Sequence, residues 1–406
     1  MSKILKRARI DILMVIEGEI ATTQLIEQVL AAGAKFGIHV RKKLLSELTL
    51  KDFGKRTVPL FVRCGDPSLE LWIKSMRRAG YPYLYYIDDN FWKIEGDSLI
   101  ARYYQHPLVR RSLELAVSNA HCILTNSEVL SEFLLQFNDR IKTLPAFFDF
   151  SLMENPPRNS NGEVRIGFAG SPSRAPDLEI IKPLIAPVLA NYPEVVFEFA
   201  GAMPEGISTG ERVRFFPHMS DYAKFIRFKE ERNWAIGLAP LVDTESNRCK
   251  TNNKYREYSA CKIPGIYSSV LPYQTSVVSG INGLLVDNSA GAWISAVDSL
   301  LTDEGLRNSI ATHAHADVLH RHSVERVAES WAKPISEVDT LLRRNGTPRL
   351  RQPLIIQCLK QRLLHIESLW VRLSTVYQAD GVWGVLSKLS DRICRDMAEL
   401  FARSHK

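Results

Sequence analysis

Lys250-Thr-Asn-Asn-Lys254-Tyr-Arg-Glu257-Tyr-Ser-Ala-Cys-Lys-Ile-Pro264-Gly-Ile-Tyr-Ser-Ser, followed by Gly280-Ile-Asn282-Gly283-Leu-Leu-Val-Asp287, decides the fold. A lysine pair precedes a helix that carries one glutamate. Ile263-Pro264 then opens an apolar strand, and a Gly-rich turn leads into a second apolar strand, Leu284-Leu285-Val286. A basic loop, a helix, a strand, a glycine turn and a strand, in that order, fit a site for a phosphorylated ligand at the carboxyl edge of a parallel sheet.

Working outward, strand and helix signals alternate on both sides. The first half reads as strands at Ile10–Ile16, Val58–Val62, Tyr83–Ile87 and Cys122–Thr125. Helices are expected at Ala21–Phe36, Asp66–Arg78, Leu108–Ser118 and Leu130–Phe137. The Pro/Asn/Ser-rich stretch 151–163 reads as a linker, after which alternation restarts with strands at Val164–Ala169, Val195–Ala200, Val213–Phe216 and Trp234–Pro240. Helices are expected at 292–301 and 304–331. Such alternation predicts an α/β chain of two doubly wound parallel sheets with a cleft between them. The expected division is 1–150, linker 151–163, 164–340, and a helical tail 341–406.

Several side chains could carry chemistry. Val164–Ala169 runs into Gly167-Phe-Ala-Gly170-Ser171, where small residues let backbone N–H groups approach an anion. Arg174 either reaches that anion or is a solvated arginine at a helix start. Lys250 and Lys254 suit a diphosphate, since a fixed ammonium stabilises charge as it develops; a solvated basic loop is the alternative. Gly280, Asn282 and Gly283 form a turn that is either structural or in contact with ligand. Asp88-Asp89 follows the third strand, and Arg63 follows the second; acceptor positioning and a turn cap are both open for the acids. His313, His315, His320 and His322 share one long helix and read as a solvated face rather than a metal site. Six scattered cysteines without a C-x-x-C pair indicate neither a zinc site nor disulfides.

The 250–287 stretch resembles the donor-binding core of glycosyltransferase family 4, retaining enzymes of the two-Rossmann GT-B fold. Their pattern of a basic residue, a glutamate in E-A-x-A-x-G-x-P and a G-x-N-G-x-L-V turn is matched by Lys250, by Glu257-Tyr-Ser-Ala260-Cys-Lys262-Ile-Pro264 and by Gly280-Ile-Asn-Gly283. A bacterial surface-polysaccharide subset looks closer still, through Pro240-Leu-Val-Asp243, Asn247-Arg-Cys-Lys250 and Lys254-Tyr-Arg-Glu257-Tyr258, and through Asp88-Asp89-Asn90-Phe91.

The resemblance implies a retaining, metal-independent hexosyltransferase-like enzyme. It would move a sugar from a nucleotide-sugar co-substrate to a glycan or lipid-linked acceptor, with no other cofactor. It assigns Lys250, Lys254 and Glu257 to catalysis, with Glu257 also on the donor ribose. Gly170, Ser171, Arg174, Gly280, Asn282 and Gly283 fall on the donor side, and Arg63, Asp88 and Asp89 on the acceptor side. The family's earlier glutamate, eight positions before Glu257, is replaced by Cys249. A GT-B protein that binds nucleotide sugar or a protein partner without transfer is therefore the second reading.

The chain of 406 residues has a net charge of +7, and residues 341–406 hold all of it, with twelve basic and five acidic side chains. The body is electrically balanced, so the basic pI says nothing about the site. Ile356, Leu359, Leu363, Ile366, Trp370, Leu373 and Tyr377 form a helical stripe, and Leu386, Leu389, Ile393, Met397 and Leu400 a second. Residues 350–406 are expected to meet an anionic membrane surface or a partner helix; the alternative packs the first stripe on the N-terminal domain. No nucleic-acid motif accompanies the charge. The early Glu17 breaks the first apolar run, and no run reaches the ~18 residues of a membrane span. The expected place is the cytoplasm, with the tail on the inner face of the membrane.

Overall fold

The computed structural model describes residues 9–387 apart from 55, 157–161, 351–362, 365 and 379. Among these residues twelve strands form two sheets. In the first half they are β1 (Ile10–Ile16), β2 (Ile38–Leu44), β3 (Thr57–Val62), β4 (Leu84–Tyr86), β5 (Cys122–Thr125) and β6 (Ile141–Thr143), in the order β2-β1-β3-β4-β5-β6. The second half has β7 (Val164–Ala169), β8 (Val195–Ala200), β9 (Val213–Phe216), β10 (Ile236–Ala239), β11 (Gly265–Ser268) and β12 (Leu284–Val286), in the order β12-β11-β10-β7-β8-β9. Every pairing is parallel. Two Rossmann-like domains of GT-B type result, as the sequence predicts.

The burial pattern explains why the central strands read so clearly. All six residues of β3 and all six of β8 are buried, because helices cover both faces of a parallel sheet. Strand order reverses between β1 and β3 in the first sheet and between β7 and β10 in the second. Ligands of doubly wound sheets sit outside the carboxyl ends at such switch points. The residues that follow these strands are the ones considered below.

Helix ends depart from the expected ones for local reasons. The segment predicted as one helix over Ala21–Phe36 is α-helical over Ala21–Ala32 and tightens into a 3₁₀ turn at Gly33–Phe36, ending at Gly37 with φ 88°. The predicted 304–331 helix breaks at Ser323 into Glu304–His322 and Val324–Asn345. At that break Phe148 N–H donates to the His322 carbonyl and Val324 N–H to the Phe148 carbonyl. Two crossings between the domains thus lie side by side. Beyond them, Val327, Trp331, Ile335, Val338 and Leu342 pack into the core of the first domain.

The described part of the tail turns its apolar stripe outward. Residues 366–378 and 380–387 are helical. Ser368, Val371 and Thr375 are buried, Val371 within the first core, while Ile366, Trp370, Leu373 and Tyr377 of the predicted stripe are exposed. The packing alternative therefore fails for the stripe itself. A narrower face, with one apolar and several polar residues, makes the contact instead. Ile356, Leu359, Lys360, Arg362 and the second stripe beyond Leu386 lie outside the described residues.

Candidate functional site

A cavity of about 270 Å³ opens where the two switch points face each other. Thr22, Arg63, Asp88 and Asp89 line it from the first domain. Gly170, Ser171, Arg174, Tyr222, Lys250, Lys254 and Glu257 line it from the second. Nine of the twelve residues proposed from sequence thus meet in one place, although they come from segments nearly two hundred positions apart.

The first-domain wall is a charge network centred on Arg63. Arg63 directly follows β3 with φ 55°, a left-handed conformation that costs a non-glycine residue and needs surrounding contacts to hold it. Its guanidinium lies 3.1 Å from Asp88 Oδ1 and 3.0 Å from Asp89 Oδ2, and it donates to Thr22 Oγ1 at 3.0 Å. Thr22, in the first turn of helix Ala21–Ala32, passes its own proton to Asp88 Oδ2 at 3.1 Å. Lys250 Nζ reaches across the cleft to Asp89 Oδ1 at 2.8 Å. Burial alone would raise both acids. For Asp89, Lys250 and Arg63 outweigh it and hold the carboxyl well below its usual range; Asp88 stays raised by burial, with Asp89 adding to it and Arg63 opposing.

Three further contacts bridge the cleft. Lys93 pairs with Glu245 at 2.7 Å, Tyr222 N–H donates to Gln24 Oε1 at 2.9 Å, and Asn90 Nδ2 lies 3.5 Å from Cys249 Sγ. Cys249, standing where a glutamate is expected, is buried against the opposite domain. That position faces an amide rather than open space.

The second-domain wall is built differently. β7 ends in Gly170-Ser171, and Gly201 stands beside it. A Cβ on Gly201 would lie 2.0 Å from the Gly170 carbonyl oxygen, and its φ is 81°, so only glycine allows this turn its position. Arg174 is drawn to Asp177 through Nε and Nη2, with Asn247 Oδ1 at 3.4 Å. Asp177 also accepts from Val242 N–H at 2.8 Å, which ties the turn after β7 to the loop after β10. Helix Asn253–Ala260 points its first turn at the cavity, with Asn253 and Lys254 on the lining. An unsatisfied helix start favours an anion there.

Lys254 differs from every other cation at the site. It makes no hydrogen bond or ion pair among the described residues, and its ammonium sits 4.7 Å over the Phe168 ring. Surrounding atoms desolvate it, and Arg174 adds repulsion, so its pKa falls to about 8. Glu257 lies one turn further along the same helix face. Only 7% exposed, it accepts from Lys229 Nζ at 2.6 Å and from Tyr222 Oη at 3.2 Å.

Lys229 and Tyr222 were not foreseen from sequence. A signal existed: Tyr222, Ile226 and Lys229 recur at helical spacing on a face whose other members are apolar. A lysine on such a face asks for a buried acid.

The turn Gly280–Gly283 does not reach the cavity. Asn282 is buried, accepting from Val278 N–H at 2.7 Å and donating to Tyr255 Oη at 2.8 Å. Gly283 lies under Tyr267 and Val277. Of the two readings of this turn, the structural one describes its contacts. The histidines also separate. His313 and His320 are exposed, whereas His315 Nδ1 meets the carbonyls of Ser259 and Ala260, and His322 packs on the Ala146 carbonyl with its pKa lowered to about 4 by burial and Arg256. A wholly solvated face is thus corrected for two of the four. Among the described residues no group of three or more His, Cys, Asp or Glu could hold a metal ion.

No family model matches the chain, and no curated protein matches it. Solved structures do. The chain is similar to Anabaena Alr3699/HepE, solved in complex with UDP, with 14% identity, coverage of 81% of this chain and 100% of that one, and a TM-score of 0.59. Sucrose-phosphate synthase (tll1590) from Thermosynechococcus elongatus gives 14% identity, 82% and 100% coverage, and a TM-score of 0.56. TarM gives 13% identity, 70% and 55% coverage, and a TM-score of 0.52. These neighbours are GT-B glycosyltransferases. At such identities the likeness is one of fold.

Proposed function

We propose that this chain is a glycosyltransferase that takes a sugar from a nucleoside diphosphate and passes it, with retention, to a glycan or lipid-linked acceptor in cell-surface polysaccharide synthesis. The observation that carries the reading is Lys254. A desolvated cation that makes no ion pair among the described residues, at a helix start and one turn from a buried glutamate, is arranged for an anionic ligand. The HepE structures, solved with UDP and with UDP-glucose, add that a chain of this fold takes such a ligand.

In this reading residues 164–340 hold the donor and 1–150 the acceptor. Gly170 and Ser171 offer backbone and hydroxyl groups to the diphosphate. Lys254, supported by Arg174, neutralises it. Glu257 accepts from the ribose hydroxyls, held in place by Lys229 and Tyr222. As the anomeric C–O bond breaks, charge grows on the departing phosphate, and Lys254 and Lys250 stabilise it. The acceptor hydroxyl attacks from the same face and its proton passes to the departing phosphate oxygen. Arg63 and Lys250 already engage Asp88 and Asp89, and these cations support a metal-independent reaction. The place expected for it is the cytoplasm.

Cys249 favours a second reading, a GT-B protein that binds nucleotide sugar without transfer, because the sugar side lacks its carboxylate. One experiment separates them. Thermal stabilisation by nucleoside diphosphates finds the ligand, since a ligand at 100 times its Kd adds about 2.7 kcal/mol. Release of nucleoside diphosphate from the matching nucleotide sugar, dependent on an added glycan acceptor, then supports transfer. Binding without acceptor-dependent release supports the second reading, and no binding at all refutes both.

A further inference from the structure

Residues 366–377 present two faces at helical spacing. The inward face is held by polar contacts. Arg372 Nη2 donates to Asp66 Oδ2 at 2.9 Å, and Ser368 Oγ donates to the same oxygen. Burial would raise Asp66, but Ser368, Ser68 and Arg372 together hold its carboxyl below the usual range. Val371 completes the contact within the first core. Asp66 follows Arg63 by three positions, so the helix is fixed beside the cleft-facing edge of the first domain.

The outward face is apolar. Ile366, Trp370, Leu373 and Tyr377 line it, and Trp370 is 61% exposed; past Gly381, whose φ of 65° interrupts the helical spacing, Val382 and Trp383 are exposed as well. Of fifteen large apolar side chains exposed among the described residues, eight lie between positions 363 and 386. That concentration separates the patch from the scattered apolar surface of any folded protein. The helix turns polar groups inward and tryptophan outward, and none of the described residues covers that outward face.

Charge and residue type indicate which partner. The preceding stretch 341–362 has six basic and no acidic side chains, and 388–406 has five basic against three acidic. A second copy of this chain docking face to face would bring like charge against like charge. An anionic surface is complementary to both flanks, and Trp, Tyr and aliphatic side chains suit the zone between headgroups and acyl chains.

We propose that the helical residues 366–378 lie on an anionic lipid surface, with Ile366, Trp370, Leu373 and Tyr377 inserted and Arg372–Asp66 fixing the body's orientation. The cleft-facing edge of the first domain is then held at the bilayer. This inference does not depend on the transfer chemistry.

The test uses the full chain and vesicles of phosphatidylcholine alone or mixed equally with phosphatidylglycerol. A variant carries Ile366→Ser, Trp370→Ser, Leu373→Ser and Tyr377→Ser. The wild type is expected to pellet with the anionic vesicles, and the variant to lose about tenfold or more of that binding, with nucleoside diphosphate affinity unchanged. Wild type that stays in the supernatant overturns the proposal. So does a variant that pellets equally, which would assign binding to the basic flanks alone. A wild-type dimer that ignores vesicles and dissociates on substitution would make the face a subunit contact and overturn it too. Should the variant melt early, brominated acyl chains added to wild type decide: tryptophan quenching supports insertion and its absence refutes it.

Discussion

The two walls of the cleft hold similar residues in opposite electrostatic states. On the first-domain wall, Arg63 is engaged by Asp88, Asp89 and Thr22, and Lys250 reaches over to Asp89. On the second, Lys254 is left without a partner among the described residues, and its pKa is pushed down to about 8. The lysine pair looks equivalent in sequence, one turn apart. In space one lysine closes the cleft and the other waits in it. Lys254 is half-buried and desolvated, Glu257 and Asp177 attract it without pairing with it, and an arriving anion supplies the contact it lacks. Under the proposed function, this difference puts ligand binding on the second wall and domain closure on the first.

The sharpest way to break this comparison is Lys254→Met. Loss of one charge-assisted contact of about 1.5–3 kcal/mol predicts roughly 10- to 150-fold weaker nucleoside diphosphate binding, with stability kept or raised, read by calorimetry. Glu257 comes next, and it needs care. Lys229 is fully buried against it, so Glu257→Ala alone strands an ammonium and is expected to cost about 3–5 kcal/mol of stability. The paired variant Glu257→Gln with Lys229→Met removes that problem. It is expected to fold and to bind nucleoside diphosphate about tenfold more weakly. Wild-type affinity in the folded double variant would remove Glu257 from the donor site.

Smaller effects are expected on the first wall. Asp89→Asn loosens the Lys250 bridge and is predicted to change donor affinity by about threefold or less, because a part-exposed pair is worth only ~1 kcal/mol. Small-angle scattering should report a more open cleft without ligand. An affinity loss as large as that of Lys254→Met would erase the distinction between the walls. The smallest effect on binding is expected from Asn282→Ala. It leaves Tyr255 Oη and Val278 N–H without their amide partner, costing about 1–3 kcal/mol of stability while donor affinity stays unchanged.

What was legible in the sequence follows from burial. β1, β5, β7, β8, β9 and β12 match their apolar runs residue for residue. β2 was missed because Ile-His-Val-Arg-Lys-Lys-Leu is an edge strand with its charges in solvent, and β6 because three residues at the other edge carry little pattern. The site divides in the same way. Residues at strand ends and in the 250–257 stretch could be named, since backbone position places them. Their pairings could not. Lys229 meets Glu257 across 28 positions and Lys250 meets Asp89 across 161, and no local spacing encodes either distance. The tail shows the limit most plainly: a helical stripe was readable, but which way it faced depended on Asp66, about three hundred residues away.

The most direct test of the account is the pH dependence of UDP binding, measured by calorimetry on wild type and Lys254→Met. Above neutral pH the diphosphate is already ionised. Lys254 is charged below its pKa of about 8 and neutral above it, so its attraction for an anion is present at low pH and lost as pH rises. Wild-type affinity is predicted to fall about tenfold or more between pH ~7 and ~9.5, and the variant to be weak and nearly flat across the same range. An equal decline in both proteins, or wild-type affinity in the variant at neutral pH, would contradict the assignment of the anion to Lys254.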